Sequence, residues 1–236
     1  MFIGNYDVMR EGALRIRKAA LDLNVKRVVI GECGHAWRVA YSFWNTLSGI
    51  GSGAEGEYAT RLQNQLDSQY PQPQHMIEFT YDLIKNNKLT FEKSNNDHRV
   101  VTFHDSCNVA RGSNMGDIEN GQFILPREVI KAACNNFIDM PKNTIKSSTF
   151  CCGGGAGLLT DDLIDLRIKG AKPRMHALRK SEQESGVNTL AAICAICKSQ
   201  FSKVLPNYDF DPYMVVSVHQ LVSDAIVLSE SLKQKD

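Results

Sequence analysis

Five of the seven cysteines fall into one ordered pattern: a lone Cys107, an adjacent pair Cys151-Cys152 that runs into Gly153-Gly154-Gly155, and a closing Cys194-Ala-Ile-Cys197. Between Cys107 and Cys151 lie 43 residues, and between Cys152 and Cys194 lie 41. Each gap is long enough for a strand-and-helix unit that brings the chain back to one place, so three distant loops are expected to bring five thiols together. Thiolates are soft ligands that favour iron-sulfur clusters, zinc or copper(I), and five exceed the four of a tetrahedral zinc site. Scattered core cysteines would pack as small hydrophobes. That reading suits Cys134, which sits beside Ala132 and Ala133, better than it suits a Cys-Cys pair opening a glycine run.

The 236 residues suffice for one large domain or two half-sized lobes, and a formal net charge of +1 gives no electrostatic case for nucleic acid. No run of about 18 apolar residues is present. Residues 1–20 carry Arg10, Arg15, Arg17 and Lys18 without a following apolar core, so secretion is not expected. An odd cysteine count without an export signal points to reduced thiols in a cytoplasmic setting. The linker-like stretches are 48–56, rich in glycine, and 86–99, polar and charged; the second is the expected lobe boundary.

Periodicity predicts a helix over 7–23 and a buried strand over 25–30 that ends at Gly31-Glu32-Cys33. Helices follow over 36–47, with Trp37, Tyr41 and Trp44 as core residues, and over 75–85. The second half restarts with a strand over 99–104. A helix opened by Pro126 is expected to run to about Phe137, and a strand over 148–150 to lead into Cys151. Thr160 is expected to cap a helix that ends near Gly170, and Pro173 to open another that stops near Gly186. A strand over 187–193, a helix from about Lys198 and a closing helix over 219–232 complete the pattern. Alternating strands and helices imply parallel α/β layering with ligands at the carboxyl ends of strands, where all five pattern cysteines are placed.

A weak internal repeat supports this: Val25–Cys33 with its helix echoes Val187–Cys194 with its own, and Ile77-Glu-Phe echoes His219-Gln-Leu. In that alignment Cys33 pairs with Cys194, and Cys197 meets Ala36. The expected fold is therefore α/β with two repeats of Rossmann-like layout, parallel strands flanked by helices. Residues 1–95 form a degenerate first repeat truncated on its N-terminal side, and residues 96–236 a complete second repeat. The glycines after Cys152 let backbone N–H groups approach a bound group closely; the Lys-Ser/Thr ending of a phosphate-binding loop is missing, since Leu158-Leu159 follow. Cys33, with His35, is a candidate near the site. His104 and Asp105 are candidates for proton donation or ligand orientation. His75, His98, His176 and His219 have no ligand spacing and are read as surface or packing residues.

The segments Gly31-Glu-Cys-Gly-His-Ala-Trp-Arg38, Phe103-His-Asp-Ser-Cys-Asn-Val-Ala-Arg111, Pro126-Arg-Glu-Val-Ile130 and Phe150-Cys-Cys-Gly-Gly-Gly-Ala-Gly-Leu158 resemble the cysteine-rich CCG domain of heterodisulfide reductase-like iron-sulfur proteins, and within it the DsrK subunit type of the DsrMKJOP complex. The resemblance implies a noncubane 4Fe-4S cluster held by Cys107, Cys151, Cys152, Cys194 and Cys197, with Gly153 and Gly154 beside it; Cys33 and His104, read from their positions in the sequence, stand as the catalytic candidates. It implies reductive cleavage of a disulfide or trisulfide, the DsrC trisulfide in this branch, with quinol-derived electrons in dissimilatory sulfur metabolism. Partners would be a DsrC-like small protein, a DsrM-like membrane haem b subunit and other DsrMKJOP components. The subunit would be cytoplasmic, attached to the inner face of the cytoplasmic membrane through those partners. The Cys-x-x-Cys-x-x-Cys runs of cubane clusters are absent, so the chain is read as part of a longer or split polypeptide. Two other readings remain open at this point: an iron-sulfur electron-transfer subunit of a glycolate or lactate oxidase-type complex, and a zinc-stabilised interaction module.

Overall fold

A computed structural model describes residues 6–42, 73–155, 157 and 159–228. The expected linker at 48–56, Trp44 and the ends of the helices predicted over 36–47 and 219–232 lie outside them. The architecture is α/β with parallel strands flanked by helices. Strands β1 (Val28–Ile30) and β2 (Pro73–His75) pair in parallel, and β3 (Val101–His104), β4 (Thr189–Ala192) and β5 (Val215–Ser217) form a second parallel sheet in that order. Helices α1 (Tyr6–Asp22), α2 (Gly34–Ser42), α3 (Met76–Lys85), α4 (Cys107–Ala110), α5 (Gly121–Ala133), α6 (Ile164–Ser185), α7 (Ala195–Val204) and α8 (Val218–Ala225) surround them.

Every residue of β3 and β4 is buried. Parallel strands covered on both faces lose the alternation of a half-exposed sheet, which is why Val-Thr-Phe-His and Thr-Leu-Ala-Ala suffice here. Side chains still point to opposite faces. Phe103, Ala191 and Val216 join a core with Val129 and Ile130 of α5 and Leu221 and Val222 of α8. Leu190 joins a second core with Met175 and Leu178 of α6 and Phe201 and Val204 of α7. Cys152, Cys194 and Cys197 belong to that second core. Trp37 and Ile77 pack into the first, so the β1–β2 region and the larger sheet share apolar contacts.

The repeat seen in the sequence has a structural counterpart. β1, α2, β2 and α3 follow the same order as β4, α7, β5 and α8, and Cys33 and Cys194 each stand one residue before a helix start. The second helix of each unit opens on a side-chain cap: His75 accepts the Ile77 N–H, and Ser217 accepts the His219 N–H. β1 is shorter and less buried than expected, with Val29 exposed.

Several expectations are corrected. No strand forms over 148–150; Lys146–Ser148 is a 3-10 turn, and Cys151-Cys152 lies in a loop, not at a strand end. α5 begins at Gly121, ahead of Pro126, and stops at Ala133 because Cys134 turns extended. One helix, α6, replaces the two expected around Gly170 and Pro173. Pro173 lies on its exposed face, where the carbonyl freed at exposed Lys169 can bond water. Gly186, with φ of +68°, ends it in the left-handed region. α7 starts at Ala195, earlier than Lys198, and α8 ends at Ala225, where Ile226 turns extended and bridges Phe91.

Candidate metal centre

Three loops build the site. Beyond β3 the chain turns at His104-Asp105-Ser106, and Cys107 opens α4; beyond β4, Cys194 precedes α7 and Cys197 lies in its first turn. The third loop, Cys151–Gly155, has no strand to hold it and is fixed by arginines instead. Arg111 Nη1 donates to the Thr149 carbonyl at 2.6 Å. Fully buried Arg174 donates to the Thr149 hydroxyl at 2.8 Å and to the Thr144 carbonyl at 2.5 Å. Asp105 joins the first loop to the third: its carboxylate accepts both Nη groups of Arg127 at 2.8 Å and the Lys146 N–H at 2.7 Å, and its carbonyl accepts the Thr149 hydroxyl at 2.7 Å. Arg167, also buried, reaches the Gln200 amide oxygen of α7 at 2.9 Å and the Thr160 carbonyl at 3.0 Å.

This framing brings the five predicted cysteines together. The thiols influence one another's ionisation in series, Cys107 with Cys151, Cys151 with Cys152, Cys152 with Cys197 and Cys197 with Cys194. Cys151 is held well below the ordinary thiol range by the Cys107 and Cys152 thiols, against the cost of burial, with the Gly155 and Gly153 N–H groups adding to the effect. Cys194 is pulled down to about 4, chiefly by the Cys197 thiol and against burial; the Cys197 N–H, the His35 side chain and the Gly34 N–H contribute. The donors shift the other way. Cys107 is raised by its bond to Cys151 and by burial, Cys152 is pushed up to about 12 by its bond to Cys151, and Cys197 is raised by Cys152, Cys194 and burial.

The glycines have specific work here. Gly153, at φ of +91°, donates its N–H to Cys151 Sγ at 3.3 Å, and a Cβ on it would lie 2.3 Å from the Arg167 carbonyl. Gly154 donates to Cys152 Sγ at 3.4 Å. Beside Cys151, a cavity of about 200 Å³ is bounded by Gly153, Gly155, Leu163, Leu166 and Arg167.

Cys33 lies on the β1–α2 loop and is half-buried; its sulfur accepts the Ala36 N–H at 3.5 Å, the bond of a helix-capping residue. The loop nonetheless touches the site, since a Cβ on Gly34 would stand 3.3 Å from Cys194 Sγ, and the Glu32 carbonyl accepts the Ala195 N–H at 2.8 Å. His104 is fully buried, and its ring nitrogen lies within 4.8 Å of the Cys152 and Cys197 sulfurs. Burial, then the Arg174 charge, hold its pKa well below the ordinary imidazole value, while Cys151 acts in the opposite sense.

The sequence reading missed the arginine frame and the carboxylate Glu32. Glu32 accepts Lys198 Nζ and Ser217 Oγ at 2.6 Å, and meets His219 Nδ1 at 2.6 Å. Burial opposes its ionisation, yet the bonds from His219, Lys198 and Ser217 bring its pKa down to about 2. Glu32 thus ties the β1–α2 loop to the starts of α7 and α8. His75 and His219 are accordingly structural hydrogen-bonding groups; His75 is fully buried and caps α3.

The five thiols all lie within residues 101–202, the segment matched by the CCG cysteine-rich domain family. Residues 101–202 are a CCG cysteine-rich domain. In an alignment that takes in 91% of its length, the chain is 39% identical to the Hdr-like menaquinol oxidoreductase iron-sulfur subunit 2 of Archaeoglobus fulgidus, covering 40% of that protein. It is 37% identical over 91% of its length to the Hdr-like menaquinol oxidoreductase iron-sulfur subunit of Archaeoglobus profundus, again covering 40% of the relative. With a dihydromethanophenazine:CoB–CoM heterodisulfide reductase polypeptide of Methanosarcina mazei it shares 30% identity over 65% of the chain and 34% of that relative. The chain therefore spans well under half the length of these curated relatives. Among the described residues, no helix is long and apolar enough to cross a membrane.

The donor set of the CCG domain fits an iron-sulfur group. It offers soft sulfur donors in one cradle, glycine N–H groups aimed at two of them, and the buried cation Arg174, which burial pushes down to about 10 while Asp105 and the nearby thiols counter it. A buried guanidinium beside thiols is suited to a negatively charged occupant.

Proposed function

We propose that Cys107, Cys151, Cys152, Cys194 and Cys197 hold a noncubane 4Fe-4S cluster, and that the chain is the catalytic iron-sulfur portion of a heterodisulfide reductase-like subunit of the DsrK type. Its reaction is the reduction of a disulfide or trisulfide, the DsrC trisulfide being the proposed substrate, with quinol-derived electrons delivered through a DsrM-like haem subunit and other DsrMKJOP-type components. The site would lie on the inner face of the cytoplasmic membrane through those partners. The observation that carries the proposal is the serial contact of five thiols from three loops.

Cleaving one sulfur–sulfur bond to two thiols takes two electrons and two protons; the cluster, when bound, supplies electrons singly. The chain's residues set the conditions. Cys152, Cys194 and Cys197 are buried, whereas Cys107 and Cys151 are half-exposed, so substrate sulfur approaches from the Cys107–Cys151 edge. There Arg111 fixes the backbone before Cys151, and Leu163 and Leu166 line the adjoining cavity. Phe201 and Met175, buried in the same apolar core as Cys152, Cys194 and Cys197, shield those three thiols from solvent. Cys33 lies on the loop that borders Cys194, and its half-buried thiol is proposed to stand near the site.

Turnover of a DsrC-type trisulfide by the assembled complex tests the proposal. Serine at all five positions should abolish turnover, and retained turnover would refute it. One observation favours a zinc reading: among the described residues, His104, Cys152 and Cys197 form a possible three-ligand set. Purified protein carrying zinc with no iron or acid-labile sulfide would establish that reading instead.

A further inference from the structure

His104 is the last residue of β3, and its side chain shares the strand face of Thr102, turned toward α7. The ring stands edge-on to Phe201, with centroids 4.8 Å apart at 87°. The residue is 0% exposed, and neither Nδ1 nor Nε2 has a hydrogen-bond partner among the described residues. Buried polar side chains are nearly always partnered, because leaving a donor unsatisfied forfeits its hydration without return. Among the described residues, the groups that form a ligand set with its ring nitrogen, within 4.8 Å, are the Cys152 and Cys197 sulfurs, both already engaged in the thiol series. The imidazole is thus held by packing in a place where its N–H has no acceptor among the described residues, at the inner wall of the five-thiol cradle.

We infer that His104 donates a ring N–H to a sulfur of the cluster held by the five thiols, as a positioning residue that raises the cluster's reduction potential and is not one of its ligands. The inference rests on the iron-sulfur reading above. A donor at a sulfur lowers the electron density there and favours the reduced, more negative state. Because the residue is 0% exposed, bulk solvent does not take over this donor's role when it is removed. Substitution by phenylalanine keeps a flat ring against Phe201 and removes the N–H; substitution by glutamine restores an N–H of similar reach.

The test uses the full chain reconstituted anaerobically with iron and sulfide, prepared with histidine either unlabelled or labelled with nitrogen-15. Pulsed electron paramagnetic resonance of the paramagnetic cluster state should show a weak nitrogen coupling that changes with the label and vanishes in H104F. The midpoint potential of H104F should fall, with the one-electron equilibrium moving about tenfold toward the oxidised state, about 59 mV, and H104Q should recover most of it. Iron binding without any histidine coupling overturns the inference and leaves the iron-sulfur reading standing. A strong coupling, typical of direct ligation, or an unchanged potential in H104F does the same. If H104F fails to hold iron, H104Q decides: iron at near-wild-type potential supports donation, and no iron in either variant overturns it. A wild-type chain that binds no iron overturns both.

Discussion

Asn at position 105 provides the sharpest test of how the two cysteine loops are joined. The Asp105 and Arg127 side chains are 1% and 6% exposed and meet through two hydrogen bonds of 2.8 Å, whereas the second partner of Arg127, Asp139, is 32% exposed. Removing one member of a buried pair leaves the other charge uncompensated and costs about 3–5 kcal/mol, while an exposed pair contributes about 0–1 kcal/mol. Because D105N leaves Arg127 with Asp139, the lower end applies, about 3 kcal/mol; D139N should cost about 1 kcal/mol or less. For a chain of this size each kcal/mol moves the midpoint of thermal unfolding by about 2–4 °C, so D105N should lower it by about 6–12 °C and D139N by a few degrees at most. D105N also weakens the acceptor for the Lys146 N–H, which leads into the Cys151 loop, so iron retained after reconstitution should fall with it. Thermal unfolding of the two metal-free variants beside wild type is the assay. Equal midpoints for D105N and D139N would refute the claim that this carboxylate joins the loops.

Three further outcomes follow from the same geometry. G153A places a Cβ 2.3 Å from the Arg167 carbonyl at a φ of +91°, and the strain should cost about 2–4 kcal/mol, read as a lower unfolding midpoint and reduced iron content; G31A, with no heavy atom within 4 Å of its Cβ and no left-handed φ, should retain iron. His75 is held neutral by burial, its pKa lowered from 6.5 to about 3, so below pH 6.5 the unfolded chain binds a proton that the folded chain does not. Stability should decline from about pH 6.5 toward pH 3, and H75N, which keeps a capping oxygen and cannot titrate, should flatten that decline in pH-dependent denaturant unfolding of metal-free protein. C134S should leave iron content unchanged, since Cys134 lies in the α5–α8 core; loss of iron on that change would contradict the five-ligand assignment.

The strands that carry Cys107 and Cys194 were legible because β3 and β4 are short apolar runs ending at polar turns. The repeat was legible for the same reason, since each strand-and-helix unit must bury one face against the next. β5 was missed: Val215–Ser217 is only three residues long and follows a Pro212–Met214 turn that breaks any periodic signal. Pro126 and Pro173 misled the helix boundaries, because proline tolerates a helix interior when the freed carbonyl reaches water or another donor. The loop before Cys151 lacks a strand since its backbone is held by Arg111 and Arg174, and arginines so far away in sequence usually read as solvated charge. Cysteine spacing could therefore pick out the five thiols that lie together in the structure, but not the buried cations and the Asp105 carboxylate that hold their loops. Glu32 escaped for a similar reason: its partners Lys198, Ser217 and His219 are all more than 160 residues away.

The central claim is that one iron-sulfur cluster sits on Cys107, Cys151, Cys152, Cys194 and Cys197. Anaerobic reconstitution of the chain, with iron and acid-labile sulfide counted and low-temperature electron paramagnetic resonance recorded on the oxidised protein, tests it most directly. The account predicts about four irons and a matching amount of sulfide per chain, with a paramagnetic oxidised state whose signal responds to added thiol substrate and is lost when Cys151 and Cys152 are changed to serine. Zinc without sulfide, or a full complement of iron retained after those changes, would contradict it.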